Sequence, residues 1–339
     1  PPSFSNHWPK DSGMTNRMKM VTLVGCGNIG FRHLQALVAM DAPAKITIVE
    51  PAAAARARIK VLATESAETG HAQGGHEFHI LSSTAELPLH ESDLAVIATD
   101  TRHRRAAWEA LRARQRPKAV IFEKVLFPTL GDVEAVASDL TKAQIAGFVN
   151  CGRRGFPDYQ SLARRFGGTG TPVDVTVEGS RFGLGSNAVH FLDLAEMLNG
   201  AALVSLSAEA LNPGSQASKR PGYVEIFGTL RGELTNGAKI SINCADSEPV
   251  SVRVNLAGQD GSRILIDEFA AIWREADEEK SFSIRYVSQM HELYDSLLEN
   301  CSSVLTPYVD SARQHRFYLQ ALRDHLGLSN AEDEPCPVS

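Results

Sequence analysis

The stretch Val21-Thr-Leu-Val-Gly-Cys-Gly-Asn-Ile-Gly30, VTLVGCGNIG, decides the fold. Val21–Val24 is a short apolar run that reads as a buried strand, and Phe31, Leu34, Leu37 and Val38 then recur at helical spacing. Gly25, Gly27 and Gly30 fall in the GxGxxG spacing between them. Each glycine has its own physical reason. Gly25 permits the tight turn off the strand, Gly27 lets backbone approach a pyrophosphate, and Gly30 lets the helix pack close to the strand. The backbone N–H groups of the first helical turn, at Asn28, Ile29 and Gly30, face outward without intrahelical partners and suit phosphate oxygens. The context makes the motif specific, because it follows a strand, opens an amphipathic helix and sits in a βαβ unit.

Ile46–Val49 is the next strand run, and Glu50 ends it about 20 residues beyond Gly30. A carboxylate there accepts hydrogen bonds from the adenosine ribose and repels a 2′-phosphate, so the expected cofactor is NAD rather than NADP. Arg56 and Arg58 lie nearby and could instead serve a phosphate.

Further out, Phe78–Leu81, Leu94–Ala98, Val120–Phe122 and Ile145–Val149 are short apolar runs, with helical stretches near His103–Arg114 and Leu130–Lys142. Alternation of this kind predicts an α/β fold whose first domain, residues 20–150, is a doubly wound parallel Rossmann sheet. After residue 150 the pattern changes. Tyr223–Leu230, Lys239–Asn243 and Val250–Leu256 alternate as antiparallel strands do, one apolar helix spans Asn187–Leu198, and helices near Tyr286–Leu298 and Ser311–Leu326 close the chain. The expectation is an α+β domain over 151–329 with a large, open-faced, mainly antiparallel sheet. Residues 1–19, polar and rich in Pro, Ser and Asn, read as a flexible arm with Met14, Met18 and Met20 as candidate initiators. Residues 330–339, NAEDEPCPVS, read as a flexible tail.

Composition narrows the partners. With 339 residues the chain has room for two domains, and its net charge of −6 provides no general field for nucleic acid. No segment offers the roughly 18 uninterrupted apolar residues of a membrane span, and the start lacks a secretory apolar core. The 5 cysteines are scattered without a CxxC pair, so neither disulfide framework nor metal site is suggested, and a reducing cytoplasmic compartment is expected.

Four motifs in order then resemble the glucose–fructose oxidoreductase and inositol dehydrogenase family (Gfo/Idh/MocA): GCGNIGFRH with His33, IATDTRHR, FEKV from Phe122 to Val125, and SNAVHFLD from Ser186 to Asp193. The resemblance runs from about residue 20 to 326. It implies a nicotinamide cofactor, a sugar or polyol substrate, and a dimer or tetramer paired through the open sheet. It places Thr99, Glu123 and Lys124 with the cofactor, gives Lys124 a further role in stabilising the substrate oxygen, and makes His190 the residue that exchanges the substrate proton. Ser186, Asn187 and His190 would line the substrate.

The residues themselves say something similar. Ser186, His190 and Asp193 recur at i, i+4 and i+7, one polar stripe on an otherwise apolar helix. Such groups need partners or a cavity, and Asp193 is expected to orient His190. Arg153 and Arg154, opening the second domain, could grip a carboxylate or phosphate, with Arg154 the stronger candidate; Arg181 is a weaker one. Three departures from the family pattern stand out: Ser186 where an aspartate is usual, Val125 where a proline is usual, and Arg104 nearest the position of a usual histidine, with His103 one residue early. The motifs EKVLF, NCGRRGFP and GLGSNAVHFLDL point toward relatives in surface-polysaccharide or acidic-sugar metabolism. The expected function is hydride transfer to or from a hydroxyl or keto carbon of a sugar. The alternatives are a non-redox lyase or hydrolase that uses tightly bound NAD transiently, and a dinucleotide-sensing regulator without catalysis.

Overall fold

A computed structural model of the chain describes residues 17–69, 75–329, 331 and 333–338. The first half alternates β1 (Lys19–Val24), α1 (Asn28–Val38), β2 (Ala44–Val49), α2 (Ala53–Thr69), β3 (Glu77–Leu81), β4 (His90–Ile97), α3 (Thr101–Arg112), β5 (Gln115–Phe122), α4 (Leu130–Ala143) and β6 (Ala146–Val149). These six strands pair in parallel in the order β6-β5-β4-β1-β2-β3. Their apolar runs are buried because helices cover both faces; Leu23, Ile46, Ile48, Val96, Ile121 and Phe122 are fully enclosed. Helix α1 turns His33, Leu34, Leu37 and Val38 inward, the spacing seen in the sequence. The chain reverses between β1 and β4, and the carboxyl ends of β1, β4 and β5 meet there, where open α/β sheets bind ligands.

The second half adds α5 (Pro157–Thr169), β7 (Val173–Ser180), α6 (Leu184–Asn199), β8 (Leu203–Leu211), β9 (Gln216–Ala217), β10 (Val224–Glu225), β11 (Gly228–Leu234), β12 (Lys239–Ala245), β13 (Ser251–Gly258), β14 (Arg263–Asp267), β15 (Ile272–Glu275), β16 (Glu278–Ser281), α7 (His291–Asn300), β17 (Thr306–Pro307) and α8 (Tyr308–Leu326). Eight strands form one sheet in the order β16-β15-β14-β13-β7-β12-β11-β8, antiparallel except for β7 beside β12. Strand residues alternate between buried Val175, Val177, Ile240, Ile242, Val254 and Leu256 and the more open Thr176, Ser241, Asn243 and Asn255 on the other face. The α/β class and the two sheets are those expected.

Several details differ from the sequence reading. Tyr223–Leu230 is not one strand: it is interrupted at Ile226 and Phe227, and β11 opens on Gly228 at φ +103°, where a Cβ would lie 2.5 Å from the Asn212 backbone. The chain also does not stay in the second domain after residue 151. Helix α7 packs on α1, and β17 pairs antiparallel with β6 to become an edge of the Rossmann sheet. The tail expected from 330 onward is docked where it is described. Cys336 and Val338 are buried, Cys336 N–H donates to Pro128 O at 2.8 Å, and Val224 N–H donates to Pro337 O at 2.9 Å. Two buried apolar side chains and paired backbone outweigh the tail-like composition of this short segment. Of the expected N-terminal arm, residues 1–16 lie outside the described residues, while Arg17 is ion-paired with Asp93 at 3.1 Å. Among the described residues no helix is long and apolar enough to cross a membrane.

Candidate functional site

The glycine turn has the geometry its sequence implies. Gly25 sits at φ +85°, where a Cβ would also strike Thr99, and a Cβ on Gly30 would lie 2.1 Å from Gly25 O. A Cβ on Gly27, by contrast, would meet nothing within 4 Å. The turn therefore needs Gly25 and Gly30 for its own packing, and Gly27 leaves an open cradle. Helix α1 begins beside it with no side-chain cap and no acidic residue in its first turn, so the Asn28, Ile29 and Gly30 amides keep their positive field. Thr99, after β4, stands against Gly25 with its Oγ1 buried and unpartnered among the described residues. An open cradle, an uncapped helix N-terminus and an orphaned hydroxyl suit a dinucleotide.

Glu50 ends β2 as expected and is 7% exposed. Its Oε2 accepts from Cys26 N–H at 2.6 Å and its Oε1 from Ala52 N–H at 2.8 Å. A carboxylate offers about four acceptor positions, so ribose hydroxyls can still be bound. Arg58 reaches over the Phe31 ring, 4.1 Å from its centroid, and donates to Gly27 O at 3.1 Å, which puts a guanidinium at the rim of the cradle. Arg56 instead caps the Glu50 and Pro51 carbonyls.

Lys124 follows β5. Its Nζ donates to Ser186 O at 2.9 Å and to Asn187 Oδ1 at 3.0 Å, bridging the end of β5 to the start of α6. The structure thus brings Lys124, Ser186, Asn187 and His190 together, with the last three on α6. Burial, opposed by the Glu123 charge, lowers the Lys124 ammonium from 10.5 to about 8. His190 is pushed well below 6.5 by burial and then by the charges of Lys124, Arg153 and His315. It is therefore neutral at pH 7, and its Nδ1 is buried without a partner among the described residues. An unpaired buried polar atom beside a lysine is poised for a ligand.

Two expectations fail here. Asp193 does not orient His190. It is fully buried and paired with Arg154, whose Nε lies 2.7 Å from Oδ2, while Thr306 Oγ1 donates to Oδ1 at 2.7 Å. The i, i+3 spacing would allow the two side chains to meet, but the arginine, a charged donor, captures the carboxylate. Arg154 is consequently a partner of Asp193 first, with only its Nη atoms left for a substrate. Glu123, expected beside the cofactor, turns inward: Oε1 accepts from His33 Nε2 at 2.7 Å and from Asn150 Nδ2 at 2.6 Å. Arg153 is held bidentate by Glu268 and stacks over Phe191, and the exposed Arg181 pairs with Asp246.

Arg104, noted in the sequence only as a departure, and His315, not singled out there, brace the segment around the lysine. Arg104 is buried and donates to the carbonyls of Thr99, Val125 and Leu126; burial lowers it to about 10. His315 on α8 accepts Leu126 N–H at 3.0 Å. The neighbouring His103 merely pairs with Asp100, the cap of α3. Position 104 falls on the inward face of α3, with Thr101, Trp108 and Leu111, and that spacing was the available signal.

Known proteins share this fold. The family model described as "Putative NAD(P)-binding" matches residues 14–126. A UDP-N-acetylglucosamine 3-dehydrogenase from Acidithiobacillus ferrooxidans is 18% identical, with 91% of this chain and 99% of that chain covered and a TM-score of 0.68. That likeness shows a shared fold. The WlbA dehydrogenase from Bordetella pertussis, in complex with NADH and UDP-GlcNAcA, is also 18% identical, with 96% and 99% covered and a TM-score of 0.66. A super-repressor mutant of Gal80p from Saccharomyces cerevisiae, 12% identical with 92% and 96% covered, has the same TM-score of 0.66. No curated protein matched the sequence.

Proposed function

We propose that the protein is an NAD(H)-dependent oxidoreductase acting on a hydroxyl or keto carbon of a sugar or sugar nucleotide. The observation that carries this reading is the meeting of Lys124, from the end of β5 in the sheet that carries the glycine turn, with Ser186 and Asn187 at the start of α6, the helix that also bears the unpartnered Nδ1 of His190. The family model and the named dehydrogenases support it. The Gal80p likeness shows that the fold alone does not separate enzyme from regulator, so the side chains must decide.

A nicotinamide dinucleotide held here would supply the hydride chemistry. Asn28, Ile29 and Gly30 offer amides to its phosphates, Glu50 its carboxylate to the adenosine ribose, and Thr99 its free hydroxyl. Lys124 holds a proton near neutral pH and, at about 8, is matched to exchanging it with a substrate oxygen. His190, kept neutral among cations, is better placed to hydrogen-bond that oxygen than to carry the proton itself. This reassigns the proton from His190 to Lys124. The Arg154 Nη atoms favour a substrate with an acidic group, in line with a role in acidic-sugar or surface-polysaccharide metabolism. The polar sheet face of Thr176, Ser241, Asn243 and Asn255 supports pairing into dimers or tetramers, and five free cysteines support a reducing cytoplasmic setting.

The test is a screen of sugars, sugar acids and nucleotide sugars for turnover followed by NADH absorbance, with Gly27→Val as control. The Gly27 cradle is open, so that variant should fold normally and lose NADH binding. A folded Gly27→Val protein with unchanged NADH affinity would overturn the cofactor site. Product formation without net NADH would favour the lyase or hydrolase reading.

A further inference from the structure

The Glu123 carboxylate is 4% exposed and lies at the join of several elements. His33 reaches it from α1, the helix that opens on the glycine cradle, and Asn150 reaches it from the end of β6. Behind His33, the Tyr294 hydroxyl on α7 bonds to His33 Nδ1, and Tyr294 is itself buried. A carboxylate only accepts, so His33 Nε2 donates to Glu123, while Nδ1 holds the hydrogen bond to the phenol. Buried charges persist when paired and hydrogen-bonded, and Glu123 is both. Burial alone would raise its carboxyl, but His33, Asn150 and Lys124 hold it below its ordinary value. Glu123 is therefore a fixed anion, adjacent in sequence to the lysine of the proposed site.

The surroundings of that lysine are otherwise poor in negative charge. Its Nζ bonds only to a backbone carbonyl and an amide oxygen. The groups whose charges bear on it are Glu123 from its own strand end, Cys151 after β6, Arg153 from the following turn and Arg220 from the loop between β9 and β10. Cys151 is buried and its thiol is pushed well above 9.0, so it is neutral. His190 faces the lysine from α6 and is neutral too. Arg153 is already neutralised by Glu268, and Asp193 by Arg154.

We propose that Glu123 is a positioning residue: clamped by His33 and Asn150, it supplies the fixed negative charge that keeps the half-buried Lys124 ammonium in its cationic, donor form. The Tyr294–His33 pair is the strut that holds the carboxylate in place, tying the helix beneath the cofactor cradle to the end of β5. This assignment rests on the proposed role of Lys124, but it makes a claim about the resting protein that requires no substrate.

The experiment titrates Lys124 in the full chain by the 13Cε shift of labelled lysine, the signal being assigned by its loss in Lys124→Arg. Wild type should titrate near 8. In Glu123→Gln, which keeps the shape and removes the charge, the midpoint should fall by about 1 unit or more, the usual effect of one opposite charge at close range. Glu123→Asp should restore it most of the way. NADH affinity should stay within about twofold in both, because the carboxylate is taken up by His33 and Asn150. His33→Gln keeps a neutral donor to the carboxylate and serves if Glu123→Gln does not fold; its Lys124 midpoint should stay at or above that of wild type. An unchanged midpoint in Glu123→Gln, or a fall in His33→Gln, overturns the proposal. A shifted midpoint in a protein for which no oxidoreductase activity can be found would leave the electrostatic role standing and remove the oxidoreductase reading alone.

Discussion

Arg154 donates its Nε–H to Asp193 Oδ2 at 2.7 Å, joining the turn after β6 to the middle of α6. Asp193 is 0% exposed and the Arg154 side chain 17%, so each is the other's principal counter-charge. Removing one partner of such a pair strands a buried charge, at a cost of about 3–5 kcal/mol. Asp193→Ala should therefore lower the unfolding free energy by that much, read as a lower urea midpoint at constant slope, and Asp193→Asn by less. If Asp193→Ala unfolds at the wild-type urea concentration, the pair is not the structural element described.

Asp193 thus has a structural role where its place in the sequence suggested a catalytic one, and the cause is physical. The glycine turn and the strand and helix alternation were legible because they depend on local spacing: Gly25, Gly27 and Gly30 behave as their spacing implied. The lysine at the end of β5 and the polar start of α6 were also legible, as motifs. Which side chains pair was not. Asp193 lies close to His190 in sequence, yet its partners Arg154, Thr306 and Gln314 come from distant segments. Glu123 was placed with the cofactor because its neighbour was, whereas His33 and Asn150, both remote in sequence, turn it inward. The buried end of the chain at Cys336 and Val338 carries too few apolar residues to announce itself.

Cofactor choice should respond to Glu50 and Arg58 in opposite directions. Glu50→Ser removes the charge that would repel a 2′-phosphate, so the ratio of NADPH to NADH dissociation constants should fall several-fold, on the order of 1 kcal/mol for one near-surface charge interaction. Arg58→Ala removes a cation at the cradle rim and should raise that ratio by a similar factor. Fluorescence titration of both nucleotides against both variants decides the matter. A wild-type preference for NADPH would refute the assignment of NAD.

Acid should destabilise the fold through His315. Burial lowers its pKa from 6.5 to about 4, although its bond to the Ser311 carbonyl resists the fall. Because the unfolded chain binds the proton at the higher pH, stability is fully present above about 6.5 and is lost as pH falls toward 4. For a shift of this size the loss is on the order of 3 kcal/mol. His190, also depressed, acts with the same sign. The slope of unfolding free energy against pH between 6.5 and 4 should be visibly shallower in His315→Gln than in wild type. Equal slopes would mean that this histidine does not hold off its proton.

Lys124 and His190 should separate in their pH profiles once a substrate is known. If Lys124 exchanges the proton, reduction of a keto substrate requires its protonated form, and kcat/KM should fall as pH rises through about 8. Oxidation of the alcohol requires the neutral amine, so the reverse rate should rise through the same pH. Lys124→Arg keeps a cation that does not titrate there, and should abolish this limb while reducing turnover by about 10²–10⁴-fold. His190→Ala should also slow turnover, since the substrate oxygen loses a hydrogen-bond partner, but the limb near 8 should persist because the lysine still titrates. NADH affinity should change little in His190→Ala, as that side chain belongs to the second domain, and somewhat in Lys124→Arg. The two losses should not add if both groups serve one oxygen. A limb that survives Lys124→Arg and disappears in His190→Ala would return the proton to the histidine.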